Sequence, residues 1–447
     1  MLKAWIRFCV AAFFLSGCQP IATPDRQQLA ENTRQVFEQL QSGDFSAVVA
    51  RMDEKLAAQV NETVLKNKWH QMVSQLGEYR GIDSVDVQQR QKQWLCTLRA
   101  DYEHQGLQLS AVVQRDGTIT GIQLDFSARV RPMEETESYQ EVPVQIETQL
   151  TGKLTLPKQE EQPPVVIVFH GSRQHDMDGA GGDDTARPLA DLAHALAQRG
   201  IATLRYSSSR DTDPWQAEAQ MTIETEVLEA VDEAIRLVGE MDSVNNRQIF
   251  VAGHGLGGML IPRIAADHPE LSGVISLAGT LRPADEVLAD QLAAQVESES
   301  AMTEEEKQAA LSQYALELKR IRQLEEKTPS QMILGQPSGY WYSLNQACGM
   351  NYLDALQTMP ILVLQGEKDT QITTEADYSL WQTALEEYPQ AEFKLYPALD
   401  HWFMPDPTSA ENHDEAERHV SEEVADDIAA WIETLQNQPG NRHDFSD

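Results

Sequence analysis

The chain has 447 residues, more than one domain usually contains, so its length predicts about two or three domains with sizeable cores. Hydrophobic residues make up 41% of the chain, which is enough for it to fold. The formal net charge of −35 argues against nucleic acid and anionic lipid as electrostatic partners, because most of the surface would repel polyanions. A soluble surface is the simplest reason for this charge.

The N-terminal stretch MLKAWIRFCVAAFFLSGC has the pattern of a secretory signal peptide. Lys3 and Arg7 precede a short apolar run, and small residues precede Cys18. A bilayer core of about 30 Å needs a longer apolar helix than this run provides, so a transmembrane segment is the weaker interpretation. We therefore predict that residues 1–17 are a signal peptide.

The letters LSGC, which end at Cys18, resemble the lipobox of bacterial lipoproteins. The resemblance implies cleavage before Cys18 and a diacylated N-terminus on that residue, while an ordinary signal peptide beside an unrelated cysteine is the alternative. Gln19, in place of an aspartate, favours the outer over the inner membrane of a Gram-negative cell. We expect a lipid-anchored protein of the cell envelope that faces the periplasm or the exterior.

Residues 26–130 are predicted to form a small α+β domain. Two stretches, RQQLAENTRQVFEQLQSGDFSAVVARM and NETVLKNKWHQMVSQLG, have helical periodicity. Two later stretches, KQWLCTLRADYE and LQLSAVVQRDGTITGIQLDF, alternate apolar and polar residues, and Asp116-Gly117 marks a tight hairpin in the second. Cys96 in this domain and Cys348 in the next leave open whether a disulfide joins them.

Residues 131–143 are polar and acidic without either period, which predicts a linker. From 144 to 436 short β-branched runs alternate with helical stretches such as ARPLADLAHALAQRG. The runs include PPVVIVFHG, RQIFVAGHG, SGVISLAG and PILVLQGEKD. This order predicts the α/β class, with a largely parallel sheet covered by helices on both faces and functional residues at the carboxyl ends of strands. Residues 437–447 are predicted to be a disordered tail.

Four short motifs follow predicted strands in one order: VFHGS, GHGLGGMLIPRIA, LQGEKDTQI and KLYPALDHWF. Together they resemble the α/β-hydrolase superfamily over roughly residues 140–436, and an esterase or serine aminopeptidase-like subgroup in particular. The resemblance implies that Gly255 occupies the nucleophile position, that Asp369 is the triad acid and that His401 is the triad base. Glu367 is the second choice for the acid.

The resemblance also implies an oxyanion hole made by two backbone N–H groups, on Leu256 and on Ser172. Such donors do not depend on side-chain identity, so the loss of a serine hydroxyl leaves them in place. The helix that starts near Leu256 adds its positive N-terminal end. His254 fits the histidine of the frequent G-H-S-x-G elbow, and we expect it to pack beside the turn rather than act as a base.

The glycine at position 255 leaves two functional hypotheses. The elbow nucleophile is a serine whose oxygen forms the acyl-enzyme, and no neighbouring hydroxyl has the same geometry. The first hypothesis is a hydrolase of carboxylic esters or small amides, without a cofactor, whose activity is impaired. The second is a non-catalytic protein that binds a small acyl-type or anionic ligand, or a protein partner, through the preserved cleft and the N-terminal domain. Nothing in the sequence indicates the oligomeric state.

A strongly helical insertion at about 281–345 is predicted to form a cap over the site. Tyr340, Trp341 and Tyr342 either line an apolar acyl pocket or pack the cap on the core. The acidic loop HDMDGAGGDD lacks the spacing of a calcium site and is expected to be solvated. No Cys or His spacing predicts zinc, so no metal site is expected.

The helix-plus-sheet pattern of residues 26–130 resembles a module that precedes the hydrolase domain in some bacterial secreted esterase-like proteins. The resemblance rests on pattern rather than on a motif. Two roles stay open for this domain: binding of a ligand or partner, and service as a spacer beside the membrane.

Overall fold

The computed structural model describes residues 26–90, 93–103, 106–127, 133–147, 150–171, 176–179, 186–206, 221–300, 302–405 and 418–437. The described chain divides into two compact units. The first unit runs to residue 125 apart from the short stretches 76–78 and 101–106, and the second contains those stretches and the remainder.

The first unit combines helices with an antiparallel sheet. Its helices are α1 Arg26–Ser42, α2 Phe45–Val49, α3 Glu54–Gln59 and α4 Glu62–Leu76. Its strands, adjacent in chain order, are β1 Tyr79–Arg90, β2 Gln93–Tyr102, β3 Gly106–Val113 and β4 Ile119–Ser127. In its core the rings of Phe37 and Trp69 lie 5.8 Å apart, edge to face. Gly117 has a φ of +89° between β3 and β4, where Asp116-Gly117 predicted a hairpin.

The first strand of this sheet, β1, was not predicted. Of its described side chains only Val87 is buried, so the alternation of apolar and polar residues that indicates a strand is weak. The strand lies at the edge of its sheet, where polar side chains can face solvent.

The second unit is built on a sheet with eight strands in the described chain. These are β5 Tyr139–Glu147, β6 Leu150–Pro157, β7 Val165–His170, β8 Ala202–Tyr206, β9 Ile249–His254, β10 Gly273–Leu277, β11 Ile361–Gly366 and β12 Ala391–Tyr396. Their order across the sheet is β12-β11-β10-β9-β7-β8-β6-β5. Strand β6 pairs antiparallel with both β5 and β8, at one edge of the sheet, and the other pairings are parallel. The predicted α/β class is confirmed.

Helices cover both faces of this sheet. They are α5 Pro188–Gln198, α6 Glu229–Gly239, α7 Leu256–Asp267, α8 Ala284–Ser298, α9 Glu304–Arg322, α10 Ser338–Gln346, α11 Ser379–Ala384 and α12 Glu422–Gln436. Shorter helical segments are Glu224–Leu228 and Thr374–Tyr378, both π-helical, and Gly349–Gln357, a 3₁₀ helix. Helices α5 and α12 pack on the face lined by Val166 and Val168, while α6 and α7 pack on the face lined by Val165 and Ile167. Because both faces of the central strands are buried, those strands are continuous apolar runs.

The helical insertion predicted at about 281–345 is present after β10, and it is called the cap below. It contains α8, α9 and α10, with a short hairpin of Met332–Ile333 and Gln336–Pro337 before α10. The aromatic side chains of Tyr340 and Trp341 are buried in the core, and Trp341 Nε1–H donates to the carbonyl oxygen of Ile333 over 2.8 Å. These two rings therefore pack the cap on the core, one of the two roles left open for them.

Strand β5 begins at Tyr139, inside the stretch 131–143 that was predicted to be a linker. Its polar residues suggested solvent exposure, but the side chain of Glu141 is 1% exposed. Glu141 forms ion pairs with Lys153 of β6, at 3.2 Å, and with Arg205 of β8. The charge of Glu141 is therefore compensated within the sheet, which the local sequence could not indicate.

Both cysteines in the described chain, Cys96 and Cys348, are buried free thiols, so the disulfide that was left open is not formed. Burial raises the pKa of Cys96 to about 11 and also raises the pKa of Cys348. Both groups are thus poor nucleophiles. Among the helices of the described residues, none combines the length and apolar character that a membrane crossing needs.

Candidate active site

The turn between β9 and α7 holds Gly255 in a conformation that favours glycine. Its φ is +56° and its ψ is −113°, and a residue with a side chain in so sparsely populated a region costs of order 1 to 3 kcal/mol. The turn is also tight, since a Cβ atom on Gly253 would lie 2.4 Å from the carbonyl carbon and oxygen of Gly257. The chain makes the sharp strand-to-helix elbow on which hydrolases hold their nucleophile, with no side chain at its apex.

His401 and Asp369 form a hydrogen-bonded pair. Asp369 follows β11 and His401 follows β12, and because these strands are parallel neighbours, both loops leave the same edge of the sheet. His401 Nδ1–H donates to Asp369 Oδ2 over 2.7 Å. This bond fixes the proton of the neutral ring on Nδ1 and leaves Nε2 as the acceptor that a general base needs.

The free side of this imidazole faces the elbow. A Cβ atom built on Gly255 would lie 3.5 Å from His401 Nε2 and 3.8 Å from His401 Cε1. No other heavy atom of the described residues lies within 4 Å of that point, apart from the glycine and its chain neighbours. A hydroxyl group on such a carbon could approach Nε2 to the hydrogen-bonding distance of about 2.6 to 3.2 Å expected of a nucleophile and its base.

Further donors hold the Asp369 carboxylate in place. The backbone N–H groups of Gln371 and Ile372 donate to Oδ1 over 2.7 and 3.0 Å. Gln365 Nε2 donates to Oδ2 over 3.1 Å, and the carboxylate side chain is 0% exposed. The sequence did not predict the contact of Gln365 with Asp369, because a polar residue in a buried strand does not indicate which group it will bond.

The other carboxylates near the pair have different environments. Glu367, the second choice for the acid, is exposed. Asp400 Oδ1 accepts from the N–H groups two and four residues ahead, over 2.9 and 3.0 Å, and Oδ2 pairs with Arg418. Asp400 thus closes the turn that carries His401, and Asp369 is the carboxylate bonded to the imidazole.

His254 packs beside the elbow and supports the loop of His401. Its side chain is buried, and its ring stacks on Trp402 with centroids 3.8 Å apart. Its Nε2–H donates to the backbone carbonyl oxygen of His401 over 2.9 Å. The stacking partner was not predicted, since it lies 148 positions further along the chain.

One of the two expected oxyanion donors can be located. Leu256 is the first residue of α7, so its N–H has no acceptor within the helix. Ser172, the other expected donor, lies outside the described residues. The residue before it, Gly171, adjoins the elbow: a Cβ atom there would lie 2.7 Å from the Cβ and Cγ atoms of Leu256. The turns after β7 and β9 therefore meet beside the start of α7.

The expectation of a solvated acidic loop is wrong for its two described carboxylates. Asp176 and Asp178 are buried, and Asp178 lies 3.8 Å from Lys153 Nζ and 3.5 Å from Arg205 Nη2. The cations that compensate Asp178 come from distant strands, so the local sequence does not indicate its burial. The other loop residues considered as metal ligands lie outside the described residues: His175, Asp183 and Asp184. Within the described ranges no group of three His, Cys, Asp or Glu residues could hold a metal ion.

An elbow after a central strand and a histidine–carboxylate pair at the same edge of a mostly parallel sheet place this protein in the α/β-hydrolase class. Residues 164–408, more than half of the chain, match the model of a family described as serine aminopeptidase, S33. The protein belongs to that family, and the predicted superfamily and subgroup are confirmed. Residues 33–122 match a second family, described as a protein of unknown function, DUF3887.

The chain is similar to proteins that are named esterases or α/β hydrolases. The chain is 28% identical over 405 residues to esterase EstD of Thermotoga maritima, covering 88% of this chain and 92% of that protein. An esterase structure from Pyrococcus furiosus aligns with 12% identity and a TM-score of 0.42, over 69% of this chain and 97% of the other. The α/β hydrolase GrgF from Penicillium sp. sh18 aligns with 15% identity and a TM-score of 0.43, over 66% and 98%.

Proposed function

We propose that this protein is an esterase-like hydrolase of the cell envelope in which the nucleophile position is vacant and catalysis is impaired. The observation that carries the proposal is the 3.5 Å between His401 Nε2 and the point where a side chain at Gly255 would begin. The base is paired with Asp369 and faces the elbow, but Gly255 has no hydroxyl from which it can take a proton.

The expected impairment is large. In subtilisin, removal of the serine nucleophile lowers turnover on the order of 10⁶-fold, which corresponds to about 8 kcal/mol of transition-state stabilisation. The backbone donor at Leu256 and the base His401 do not depend on a side chain at position 255. A slow hydrolysis, in which His401 takes a proton from water, is therefore expected to persist.

The proposed substrate class is carboxylic esters, with small amides second. A relative that shares most of the length of this chain is named an esterase, and the matched family is named for an aminopeptidase. A histidine base and backbone oxyanion donors serve acyl transfer from both kinds of substrate, and this chemistry needs no cofactor.

The test is the substitution Gly255→Ser, assayed with short-chain p-nitrophenyl esters. We expect the wild-type protein to hydrolyse them barely above the uncatalysed rate, and the serine variant to gain at least about 10³-fold, because the missing hydroxyl is restored beside an aligned base. Gly255→Ala is the matched control, since it adds the same Cβ atom at the same backbone angles without a hydroxyl. A wild-type rate typical of esterases, or no gain in the serine variant, would contradict the proposal.

A binding protein without catalysis is the second candidate. The N–H of Leu256 at the start of α7 is an anion-binding feature that does not require a nucleophile. In this alternative the protein uses the cleft and the N-terminal unit to bind an acyl-type or anionic ligand or a protein partner. An inert Gly255→Ser variant, combined with a rise in the melting temperature of the wild-type protein on addition of butyrate, would favour it.

We also propose that Cys18, which lies outside the described residues, carries a lipid anchor. The support is the LSGC motif after an apolar run with basic residues before it. The expected result is that cells expressing the protein incorporate labelled palmitate into it and retain it in the membrane fraction. Cys18→Ser should abolish both, and a labelled Cys18→Ser protein would contradict the assignment.

A further inference from the structure

We propose a further activity, which rests on the proposed function: the vacancy at Gly255 lets a small alcohol accept an acyl group from an ester in a single step. Hydrolases with a serine transfer the acyl group twice, first to the enzyme and then to the acceptor. Here the first acceptor is missing, so an external hydroxyl group can take its place. The chemical class of acceptor is a primary alcohol small enough to replace one hydroxymethyl group, for which methanol is the probe.

The space at the elbow matches this acceptor. The hydroxymethyl group of serine and the methanol molecule share one carbon and one oxygen. The carbon of a free methanol molecule keeps van der Waals distance from the Gly255 Cα, so it would lie beyond the Cβ point rather than on it. That point is 3.5 Å from His401 Nε2, and apart from Gly255 and its chain neighbours only the His401 ring has described heavy atoms within 4 Å of it. The glycine keeps the elbow backbone at a φ of +56°, so the vacancy has the same orientation that a serine would have.

The groups that would act on the acceptor are already held in place. The Asp369 carboxylate keeps the proton of His401 on Nδ1, through the bond of 2.7 Å, and Nε2 faces the vacancy. The N–H of Leu256, at the first position of α7, is available to the oxygen of an ester carbonyl. His254 holds the backbone carbonyl of His401 at 2.9 Å, which limits movement of the base.

The reaction balances without any other reactant. The oxygen of methanol forms a bond to the acyl carbon of the ester, and its proton passes to His401 Nε2. The carbonyl oxygen becomes the oxyanion of a tetrahedral intermediate and accepts from the Leu256 N–H. The bond from the acyl carbon to the leaving oxygen then breaks, and His401 returns the proton to that oxygen. The products are a methyl ester and the free alcohol, and no acyl group is bound to the protein.

The test uses the full wild-type chain with p-nitrophenyl butyrate and increasing methanol. We expect release of p-nitrophenol to rise at least about tenfold and to saturate with methanol, because the alcohol binds before it reacts. Methyl butyrate, measured by gas chromatography, should form in equal amount to the additional p-nitrophenol. Gly255→Ala should abolish the gain, because its Cβ atom fills the vacancy, and His401→Ala should abolish it through loss of the base.

Three results would overturn the inference: a methanol effect that is linear and equal in Gly255→Ala, additional p-nitrophenol without methyl butyrate, or no effect of methanol on the wild-type protein. Circular dichroism of both variants establishes that a lost gain is not a loss of folding. The test is independent of the one for the proposed function. If Gly255→Ser is active while methanol does nothing for the wild-type protein, the inference alone fails, whereas an inactive Gly255→Ser variant contradicts the proposed function itself.

Discussion

At the scale of single residues, the motifs predicted which side chains meet but not what supports them. Gly255, Asp369 and His401 were placed by their motifs, and the structure brings Asp369 and His401 together at 2.7 Å beside the elbow. The contacts of Gln365 with Asp369 and of His254 with Trp402 were not predicted. Such contacts depend on which side chains face each other across strands and loops, and a motif records only spacing along the chain.

The assignment of the acid gives a prediction at this scale. In a Gly255→Ser background, Asp369→Asn should lower turnover of p-nitrophenyl esters by about 10⁴-fold, because an amide no longer favours the tautomer in which Nε2 of His401 is the base. Glu367→Gln is the matched control and should change turnover little, since Glu367 is exposed. Steady-state kinetics of the two variants decides the matter, and an equal loss in both would refute the choice of Asp369.

At the scale of helices and strands, the burial of a strand on both faces explains which strands could be predicted from the sequence. The central strands of the second unit, such as β7 and β11, are buried throughout and mostly apolar, and they were recognised from the sequence. Strands β1 and β5 lie at sheet edges and carry polar side chains, so their sequences resemble loops. In β5 the charge of Glu141 is compensated by Lys153 and Arg205 from other strands. These ion pairs form only when the chain folds, so the local sequence does not predict them.

A histidine that joins two helices gives a pH-dependent prediction. His268 follows α7, and its Nε2 lies 2.8 Å from Asp232 Oδ1 of α6, while its Nδ1 lies 3.0 Å from Glu270 Oε1. Burial lowers the pKa of His268, but the hydrogen bonds to the two carboxylates outweigh it and raise that pKa above its usual value of 6.5. The charged ring therefore stabilises the fold below pH 6.5, and this contribution is lost as the pH rises through the raised pKa.

The substitution His268→Asn should accordingly lower the free energy of unfolding by about 1 kcal/mol below pH 6.5, and much less at about pH 9. Both carboxylates are exposed, so solvent screening keeps the effect small. Thermal unfolding of the wild-type and variant proteins at the two pH values measures the difference. A loss that is equal at both, or larger at the higher pH, would argue against the ion pairs.

At the scale of the whole molecule, the sequence predicted two structured regions and the class of each. In the first region helices are followed by alternating strands, and in the second region strands and helices alternate. The structure has one compact unit that runs to residue 125 and a second that follows. The linker predicted at 131–143 contains the start of β5. The first unit matches a family that is described only as a protein of unknown function, so its class was predicted but its role was not.

The central claim is that this hydrolase lacks its nucleophile and little else. It is tested most directly by labelling with a fluorophosphonate, which reacts with a serine only when a base activates it. We predict that the wild-type protein is not labelled at position 255, and that Gly255→Ser is labelled there, as located by mass spectrometry of the tryptic peptide. Addition of Asp369→Asn to the serine variant should slow that labelling. A serine variant that stays unlabelled although folded, or a wild-type protein labelled at another serine together with full esterase activity, would contradict the claim.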